Sequence, residues 1–217
     1  MDYAKYIDHT LLKATATKSD IDKLLVEAKE FHFKSVCVNP YYVSYCKEVL
    51  KDTDVLVCTV ISFPLGQMTT SAKCMEAHDA ILSGADEVDM VINIAALKDK
   101  LYDYVKDEIA SVKEVCGPRT LKVILETCYL TDEEIEKASL LAKEAGADFV
   151  KTSTGFATGG ATVEAVKIMR KAVGPEMGVK ASGGIHSKED MDKMLKAGAN
   201  RIGASAGAKI MEEYENE

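Results

Sequence analysis

Two lysines occupy equivalent positions in two strand-like segments, and a lysine amine is a group that can do covalent chemistry. Lys151 lies in "DFVKTSTGF" (148–156), and Lys180 lies in "GVKASG" (178–183). Because side chains alternate between the two faces of a strand, the valine before each lysine takes one face and the lysine takes the other. A lysine at a strand end more often extends to solvent. If both point into one interior, however, a neutral amine there can attack a carbonyl carbon and form a Schiff base.

A shared interior would change the ionisation of the two amines. At about 5 Å and an effective dielectric constant of about 20, two ammonium groups repel each other by about 3 kcal/mol. That repulsion lowers the pKa of one amine by about two, and burial acts in the same direction. We therefore expect one of the two lysines to be partly neutral near neutral pH, as a nucleophilic amine must be.

An aspartate on a third strand-like segment completes a candidate catalytic group. Asp89 lies in "EVDMVIN" (87–93). One interpretation is structural, with the carboxylate acting as a counter-ion for the lysines or as a cap at the strand end. The other is catalytic, with the carboxylate exchanging protons with one lysine, directly or through a water molecule. The residue types leave both open.

Two clusters of small residues predict an anion site. Gly183 and Gly184 follow the segment that holds Lys180, and Gly203 and Ser205 lie in "GASAG" (203–207). Glycines allow backbone N–H groups to approach a ligand closely, and a serine hydroxyl can add a donor at a helix start. Thr152, in "TSTG", is a further candidate contact. We expect these loops to bind a phosphate group.

The six cysteines and four histidines do not have the spacing of a zinc site or of a disulfide framework. We therefore expect no metal and no cofactor. Cys37, in "SVCVNP", has no histidine spaced as a general base, so we favour a small polar side chain that lines a pocket over a thiol nucleophile. Asp8, in "YIDHT", either bonds a substrate hydroxyl or caps a turn, and both options stay open.

Each of these residues belongs to a segment, or follows a segment, that has the character of a β-strand. A repeated phrase marks the joints: "SGADEVDM", "AGADFVKT" and "AGANRIGA" each place a glycine after a helical pattern and before a strand. The predicted strands cover residues 5–10, 34–39, 55–62, 87–93, 121–127, 148–153, 178–183 and 201–205.

This alternation predicts an α/β protein whose residues 1–217 form a single-domain (β/α)8 TIM barrel. The length is slightly below the ~250 residues typical of that fold. An open doubly wound sheet is the alternative, but it usually carries a glycine-rich turn after its first strand, and "DHTLLKATA" contains no glycine. In a barrel, the carboxyl ends of the strands form the active site, which would bring the lysines, the aspartate and the glycine loops together.

Composition limits the partners. The net charge of −8 argues against a function that depends on general electrostatic attraction to nucleic acid or to an anionic membrane. No apolar segment approaches the ~20 residues of a membrane helix, and the first residues do not resemble a signal peptide. We predict a cytoplasmic protein with reduced thiols and small-molecule substrates. A homodimer is left open.

The motifs resemble the signatures of the 2-deoxyribose-5-phosphate aldolase family, in the same order and over nearly the whole chain. They are "YIDHTLL", "SVCVNP", "VISFPLG", "GADEVDMVIN", "VKTSTGF" and "VKASGGI". The resemblance implies a class I, metal-free aldolase on a (β/α)8 barrel. Such an enzyme reversibly cleaves 2-deoxy-D-ribose 5-phosphate to D-glyceraldehyde 3-phosphate and acetaldehyde.

The resemblance also implies roles for individual residues. Lys151 matches the Schiff-base lysine, Lys180 the lysine that perturbs it, and Asp89 the proton-relay aspartate. Cys37 lies near the substrate in this family. The matches to phosphate contacts are Gly183, Gly184 and Ser205.

Two positions depart from the family pattern. Some members have a lysine near the phosphate where this chain has Phe156, so backbone N–H groups would carry more of the phosphate binding here. Some members end in a tyrosine that reaches the active site, whereas Tyr214 is followed by Glu-Asn-Glu.

Two other functions remain open. One is a different Schiff-base aldolase or transaldolase that acts on another sugar phosphate. The other is a non-catalytic protein that binds a sugar phosphate without turnover.

Overall fold

The structure is a computed structural model that describes residues 2–216. Its parallel strands close into a barrel in sequence order, with the last strand hydrogen-bonded to the first. The closure confirms the predicted (β/α)8 barrel and excludes the open sheet. The strands are β1 (Ile7–Leu11), β2 (Ser35–Val38), β3 (Leu56–Ile61), β4 (Glu87–Val91), β5 (Thr120–Ile124), β6 (Phe149–Lys151), β7 (Gly178–Ser182) and β8 (Arg201–Ala204).

Helices connect the strands and cover the outside of the barrel. Short 3-10 segments lie at Tyr3–Tyr6, Pro40–Tyr42 and Thr127–Tyr129. The α-helices are α1 (Lys18–Glu30), α2 (Val43–Leu50), α3 (Thr70–Leu82), α4 (Ile94–Lys98), α5 (Tyr102–Cys116), α6 (Asp132–Glu144), α7 (Val163–Val173), α8 (Lys188–Ala197) and α9 (Gly207–Glu215). No described helix is both long enough and apolar enough to cross a membrane.

Local signals in the sequence determine where the helices begin and end. Thr131 and Glu134 form a capping box at the start of α6, in which each side chain accepts a hydrogen bond from the other's backbone N–H. The Ser187 hydroxyl caps α8 by accepting a hydrogen bond from the Asp190 N–H, and Gly198 ends that helix with a left-handed φ of 113°. Gly198 lies in one of the repeated segments that place a glycine after a helical pattern.

The apolar core lies between the sheet and the helices. Val36, Val150 and Val179 are fully buried in this layer, as the alternation along their strands predicts. The barrel axis, by contrast, is polar, with buried charged side chains from several strands. They are Asp8, Glu87, Asp89, Lys122, Lys151, Lys180 and Arg201.

Candidate active site

Lys151 and Lys180 lie side by side inside the barrel. They are register partners on β6 and β7, so both project from the same face of the sheet. Each ammonium lies 2.9 Å from the same oxygen, Oδ2 of Asp89 on β4. The structure therefore brings together the three residues that the sequence singled out, and it places one carboxylate between the two amines.

A third lysine, which the sequence analysis missed, also bonds this carboxylate. Lys122 Nζ lies 2.8 Å from Oδ1 of Asp89 and 2.6 Å from a carboxylate oxygen of Glu87. It stands at the third position of β5, away from the strand end, and a lysine there usually extends to solvent. The signal that could have found it is register, since Lys122 pairs with Asp89 across the β4–β5 ladder.

A second carboxylate completes the network below the lysines. Asp8 Oδ2 lies 2.5 Å from Nζ of Lys180, and Oδ1 accepts a 2.8 Å hydrogen bond from Arg201 and a 2.7 Å bond from Ser35. Arg201 also pairs with Glu87 at 3.0 Å. Asp8 thus acts as a buried counter-ion within the barrel, which is neither of the two roles that the sequence analysis allowed for.

The ion pairs control the charges of both aspartates. Burial alone would raise the pKa of Asp89, but the ammonium groups of the three lysines around it hold that pKa well below its usual range. Burial likewise opposes ionisation of Asp8, and the charges of Lys180, Arg201 and Lys122 outweigh it and lower the pKa. Both carboxylates are therefore anions at neutral pH.

The same pairing keeps the partner cations charged. Burial would lower the pKa of Lys180, but Asp8 and Asp89 outweigh burial and raise it. For Lys122, burial is outweighed first by Asp89, and the pKa lies well above its usual value. Arg201 follows the same pattern, with its pKa raised.

A pocket of about 330 Å³ opens at the carboxyl ends of the strands. Lys151 lines it, whereas Asp89, Lys122 and Lys180 do not. A molecule in the pocket can therefore meet the amine of Lys151, with the other charged groups directly behind it. The glycine and serine residues that the sequence predicts as anion contacts also line this pocket: Gly183, Gly184, Gly203 and Ser205.

Close packing explains one of these glycines. A Cβ added to Gly203 would lie 2.9 Å from the Cβ of Ser182 and 3.0 Å from the Cε of Lys180. Any side chain at this position would therefore push on the end of β7 and on one of the two lysines.

Other predicted contacts lie behind the pocket wall. Thr152 is fully buried, and its hydroxyl donates to the carbonyl of Ser182 and accepts from that residue's N–H, at 3.0 Å each. It therefore connects the ends of β6 and β7. Cys37 is also fully buried and does not line the pocket.

A strained glutamate organises the loop after β6. Glu126 is buried and has a left-handed φ of 56°, a conformation that costs energy in a non-glycine residue. Its carboxylate accepts bonds from the N–H and the hydroxyl of Thr154, at 3.1 and 2.5 Å. Thr154 and Phe156 line the pocket. The ring of Phe156 packs edge-on against that of Phe63, with 5.3 Å between the ring centroids.

The pocket has further lining residues that the sequence analysis did not select. Lys13 and His186 both border it. Lys13 is exposed, and it supplies a positive charge at the pocket rim, where Phe156 supplies none.

Tyr214 lies elsewhere. It is part of α9, and its hydroxyl donates to Asp192 at 2.6 Å. Its ring stacks on that of Tyr3, with 4.0 Å between the ring centroids. It does not line the pocket.

One group of side chains offers suitable ligands for a metal ion. The ligand atoms of Cys37, Cys58 and Asp89 lie within 4.8 Å of one another. However, Lys122 already approaches two of them, Cys58 Sγ at 3.3 Å and Asp89 Oδ1 at 2.8 Å. A metal ion would have to compete with this ammonium group.

Comparison with known proteins agrees with the barrel fold. The model of the DeoC/LacD family of aldolases matches residues 3–212. The deoxyribose-phosphate aldolase of Staphylococcus carnosus is 61% identical, over 100% of this chain and 99% of its own length. That of Thermoanaerobacter sp. strain X514 is 62% identical, over 99% of this chain and 97% of its own length.

A solved structure of a similar protein has the same fold. The deoxyribose phosphate aldolase of Aeropyrum pernix, described as tetrameric, superposes with a TM-score of 0.91 at 34% identity. The match covers 98% of this chain and 90% of that one. The chain belongs to the DeoC/LacD family of aldolases.

Proposed function

We propose that the protein is a metal-independent aldolase that reversibly cleaves 2-deoxy-D-ribose 5-phosphate to D-glyceraldehyde 3-phosphate and acetaldehyde. The observation that carries the mechanism is the pair of buried lysines that share Asp89 Oδ2, with one lysine facing the pocket. The names of the full-length relatives support the substrate.

The balance of buried charge supports Lys151 as the nucleophile. Three carboxylates, on Asp8, Glu87 and Asp89, face four cationic side chains within the barrel, on Lys122, Lys151, Lys180 and Arg201. A buried cluster is least costly when its charges cancel, and this cluster holds one cationic side chain more than its carboxylates can balance. Lys151 makes a single ion pair, whereas each of the other three cations pairs with two carboxylates or more.

The reaction begins when Nζ of Lys151 attacks C1 of the open-chain sugar and the resulting carbinolamine loses water to form an iminium ion. The iminium withdraws electrons, so the C2–C3 bond breaks while the C3 hydroxyl loses its proton. The bonding pair becomes the double bond of an enamine, and glyceraldehyde 3-phosphate leaves.

The enamine then takes up a proton at C2, and water releases acetaldehyde and the free amine. Asp89 contacts Nζ of Lys151 directly, so it can accept or return a proton at the carbinolamine stage. Lys180 holds the same carboxylate oxygen and can replenish its proton, which makes Lys180 and Asp89 a relay. The buried Lys122 and Asp8 hold this relay in place.

The anionic end of the sugar would lie in the glycine-lined part of the pocket. Gly183 and Gly184 have left-handed φ values of 84° and 78°, which turn their backbone N–H groups in a way that suits anion binding. The hydroxyl of Ser205 adds a donor. Lys13 at the rim supplies a positive charge.

Borohydride trapping tests the chemistry. Incubation with acetaldehyde and sodium borohydride should reduce the Schiff base and add two carbons to one lysine, which peptide mapping should identify as Lys151. The Lys151→Ala variant should show no label and lose activity by about a thousandfold or more. A label on any other lysine contradicts the assignment, and binding of sugar phosphate without turnover would indicate a binding protein instead.

Two further measurements test the substrate and the absence of a metal. Cleavage of deoxyribose 5-phosphate should exceed cleavage of its 2-hydroxy analogue, ribose 5-phosphate, whereas the reverse preference would indicate another aldolase. EDTA should leave activity unchanged, since Lys151 supplies the electron-withdrawing group. Strong inhibition by EDTA would favour a metal-dependent reaction.

We also propose a cytoplasmic location and, as the simplest assembly, a homodimer. Light scattering on the purified protein tests the assembly, and a mass other than that of two chains would contradict it.

A further inference from the structure

Two cysteines stand directly opposite each other inside the barrel. Cys37 on β2 and Cys58 on β3 are register partners and are fully buried. Cys58 Sγ lies 3.2 Å from Oδ1 of Asp89 and 3.3 Å from Nζ of Lys122. The proposed aldol mechanism uses neither thiol, although both lie beside its carboxylate.

The positions of the two residues suit a disulfide. Register partners on neighbouring strands have Cα atoms about 4.8 Å apart, within the range of about 4.4–6.8 Å that disulfides span. Both side chains project from the same face of the sheet, and their sulfur atoms lie within 4.8 Å of each other. A bond of about 2.05 Å therefore requires side-chain rotation and a small approach of the strands.

The two thiols differ in reactivity. The contact with Cys58 lowers the pKa of the Cys37 thiol, and the charge of Lys180 adds to this effect against the opposing effect of burial. Burial raises the pKa of Cys58 well above its usual value. We therefore assign the attack on an oxidant to Cys37 and the resolution of the product to Cys58.

Apolar side chains surround the pair. Cys37 and Cys58 pack in a cluster with Leu12, Val60 and the half-buried Phe63. Leu12 also lines the pocket, so it separates the thiols from the space where a substrate would lie. Because both thiols are fully buried, bulky reagents are excluded, and the oxidant that we infer is a hydroperoxide.

We propose that Cys37 and Cys58 form a redox-active thiol pair that a hydroperoxide oxidises to a disulfide, and that this bond reversibly inhibits the lysine centre. The Cys37 thiolate attacks the O–O bond of hydrogen peroxide, which forms a sulfenic acid and, after protonation, one water. Cys58 then attacks the sulfenic sulfur, which forms the S–S bond and releases a second water. Two thiols lose two electrons and two protons, and one peroxide is reduced to two waters.

Inhibition follows from the contacts of Cys58 and rests on the proposed function of Asp89. A disulfide removes the S–H donor from Oδ1 of Asp89 and moves a sulfur atom away from Lys122. The carboxylate that touches Lys151 is then held by fewer bonds. We expect activity to fall about tenfold or more, the effect of losing a hydrogen bond to a charged group.

The test treats the full-length protein, reduced and then freed of reductant, with hydrogen peroxide. Thiol titration should fall from six free thiols by two, the mass should fall by two hydrogens, and peptide mapping should join Cys37 to Cys58. Activity should fall with the same time course, and dithiothreitol should restore it. Recovery with dithiothreitol separates this effect from methionine oxidation.

Cys58→Ser is the matched variant, because serine keeps a donor near Asp89 but cannot form a disulfide. If the serine variant misfolds, Cys58→Ala replaces it. Neither variant should form the link, because oxidation of Cys37 stops at the sulfenic acid when Cys58 is absent. Cys74→Ser/Cys128→Ser, which removes the more accessible thiols, should respond as the unmodified chain does.

Three results would overturn the proposal: no loss of thiols, a link through Cys74 or Cys128 instead, or a Cys37–Cys58 link that leaves activity unchanged. The link is detected by mass, independently of any aldolase assay. If the link forms but acetaldehyde and borohydride never label Lys151, the proposed function fails and the thiol pair stands.

Discussion

At the scale of single residues, the centre depends on how one carboxylate is shared. Asp89 bonds Lys151, Lys180 and Lys122, and each of these contacts is shorter than 3 Å. The sequence argument treated two lysines as repelling each other. The structure adds that Asp8 and Asp89 raise the pKa of Lys180, so this residue places a positive charge beside the nucleophile.

Replacing Lys180 tests this electrostatic role. In Lys180→Met, the amine that attacks the substrate loses a neighbouring positive charge, so the acidic limb of the pH–kcat profile should move to higher pH. We expect kcat near neutral pH to fall about a hundredfold. Lys180→Arg keeps the charge and should restore the position of the limb, and an unshifted limb in the methionine variant would refute the electrostatic argument.

Lys13 gives a residue-scale test of phosphate binding. Lys13→Met removes the positive charge at the pocket rim, so the KM for deoxyribose 5-phosphate should rise several-fold, by about 1 kcal/mol of binding, while kcat stays the same. Steady-state kinetics with unphosphorylated deoxyribose should show no change. Lys23→Met, which removes an exposed lysine of α1, is the matched control, and an equal effect in both variants would show that general surface charge is responsible.

At the scale of elements, the ends of the strands hold the loops in place. The left-handed Glu126 follows β5 and bonds Thr154 in the loop after β6. This bond connects two neighbouring βα loops, one of which lines the pocket. The helix limits, in contrast, follow from local caps such as Thr131 and Ser187 and need no tertiary contact.

Loss of the Glu126 carboxylate should loosen the loop. In Glu126→Ala, Thr154 loses both of its bonds to the glutamate, so the KM for deoxyribose 5-phosphate should rise about tenfold. Borohydride labelling of Lys151 with acetaldehyde, which needs no phosphate site, should persist. Glu126→Gln keeps an acceptor for the Thr154 N–H, so its KM should lie between those of the unmodified protein and Glu126→Ala. An equal loss of activity with phosphorylated and unphosphorylated sugar would contradict a role in the loop.

At the scale of the whole molecule, the barrel surrounds a charged interior with an apolar layer. The valines of the strands pack outward against the helices, while ion pairs fill the axis. Such a network stabilises the fold only while its charges are matched, because an unpaired buried charge is costly.

This architecture predicts sensitivity to acid. The folded-state pKa values of Asp8 and Asp89 lie below their ordinary value of 3.8, so the unfolded chain binds more protons in that range. The stability that the two groups contribute is complete above about pH 5 and is lost as the pH falls towards the lowered values, by up to ~1.4 kcal/mol per pH unit for each carboxylate. Urea unfolding between pH 6 and pH 3 measures this slope.

Asp52→Asn, a change at an exposed carboxylate, is the control and should follow the unmodified protein. A free energy of unfolding that is equal at pH 6 and pH 3 would contradict the role of the buried aspartates.

The sequence by itself determined the alternating elements, the helix limits and the identity of the main chemical groups. Local caps and side-chain alternation act over a few residues, so the repeated glycine joints, the inward lysines and the glycine loops can all be recognised along the chain. The resemblance of the motifs to a known family then assigned roles to Lys151, Lys180 and Asp89.

Only the tertiary structure decided which groups share charge. Lys122, Glu87 and Arg201 come from three different strands and meet Asp8 and Asp89 because the barrel closes with a particular register. The opposition of Cys37 and Cys58 likewise depends on the pairing of β2 with β3. Electrostatic energy depends on distances between side chains, and no spacing along the sequence fixes those distances until the strands pair.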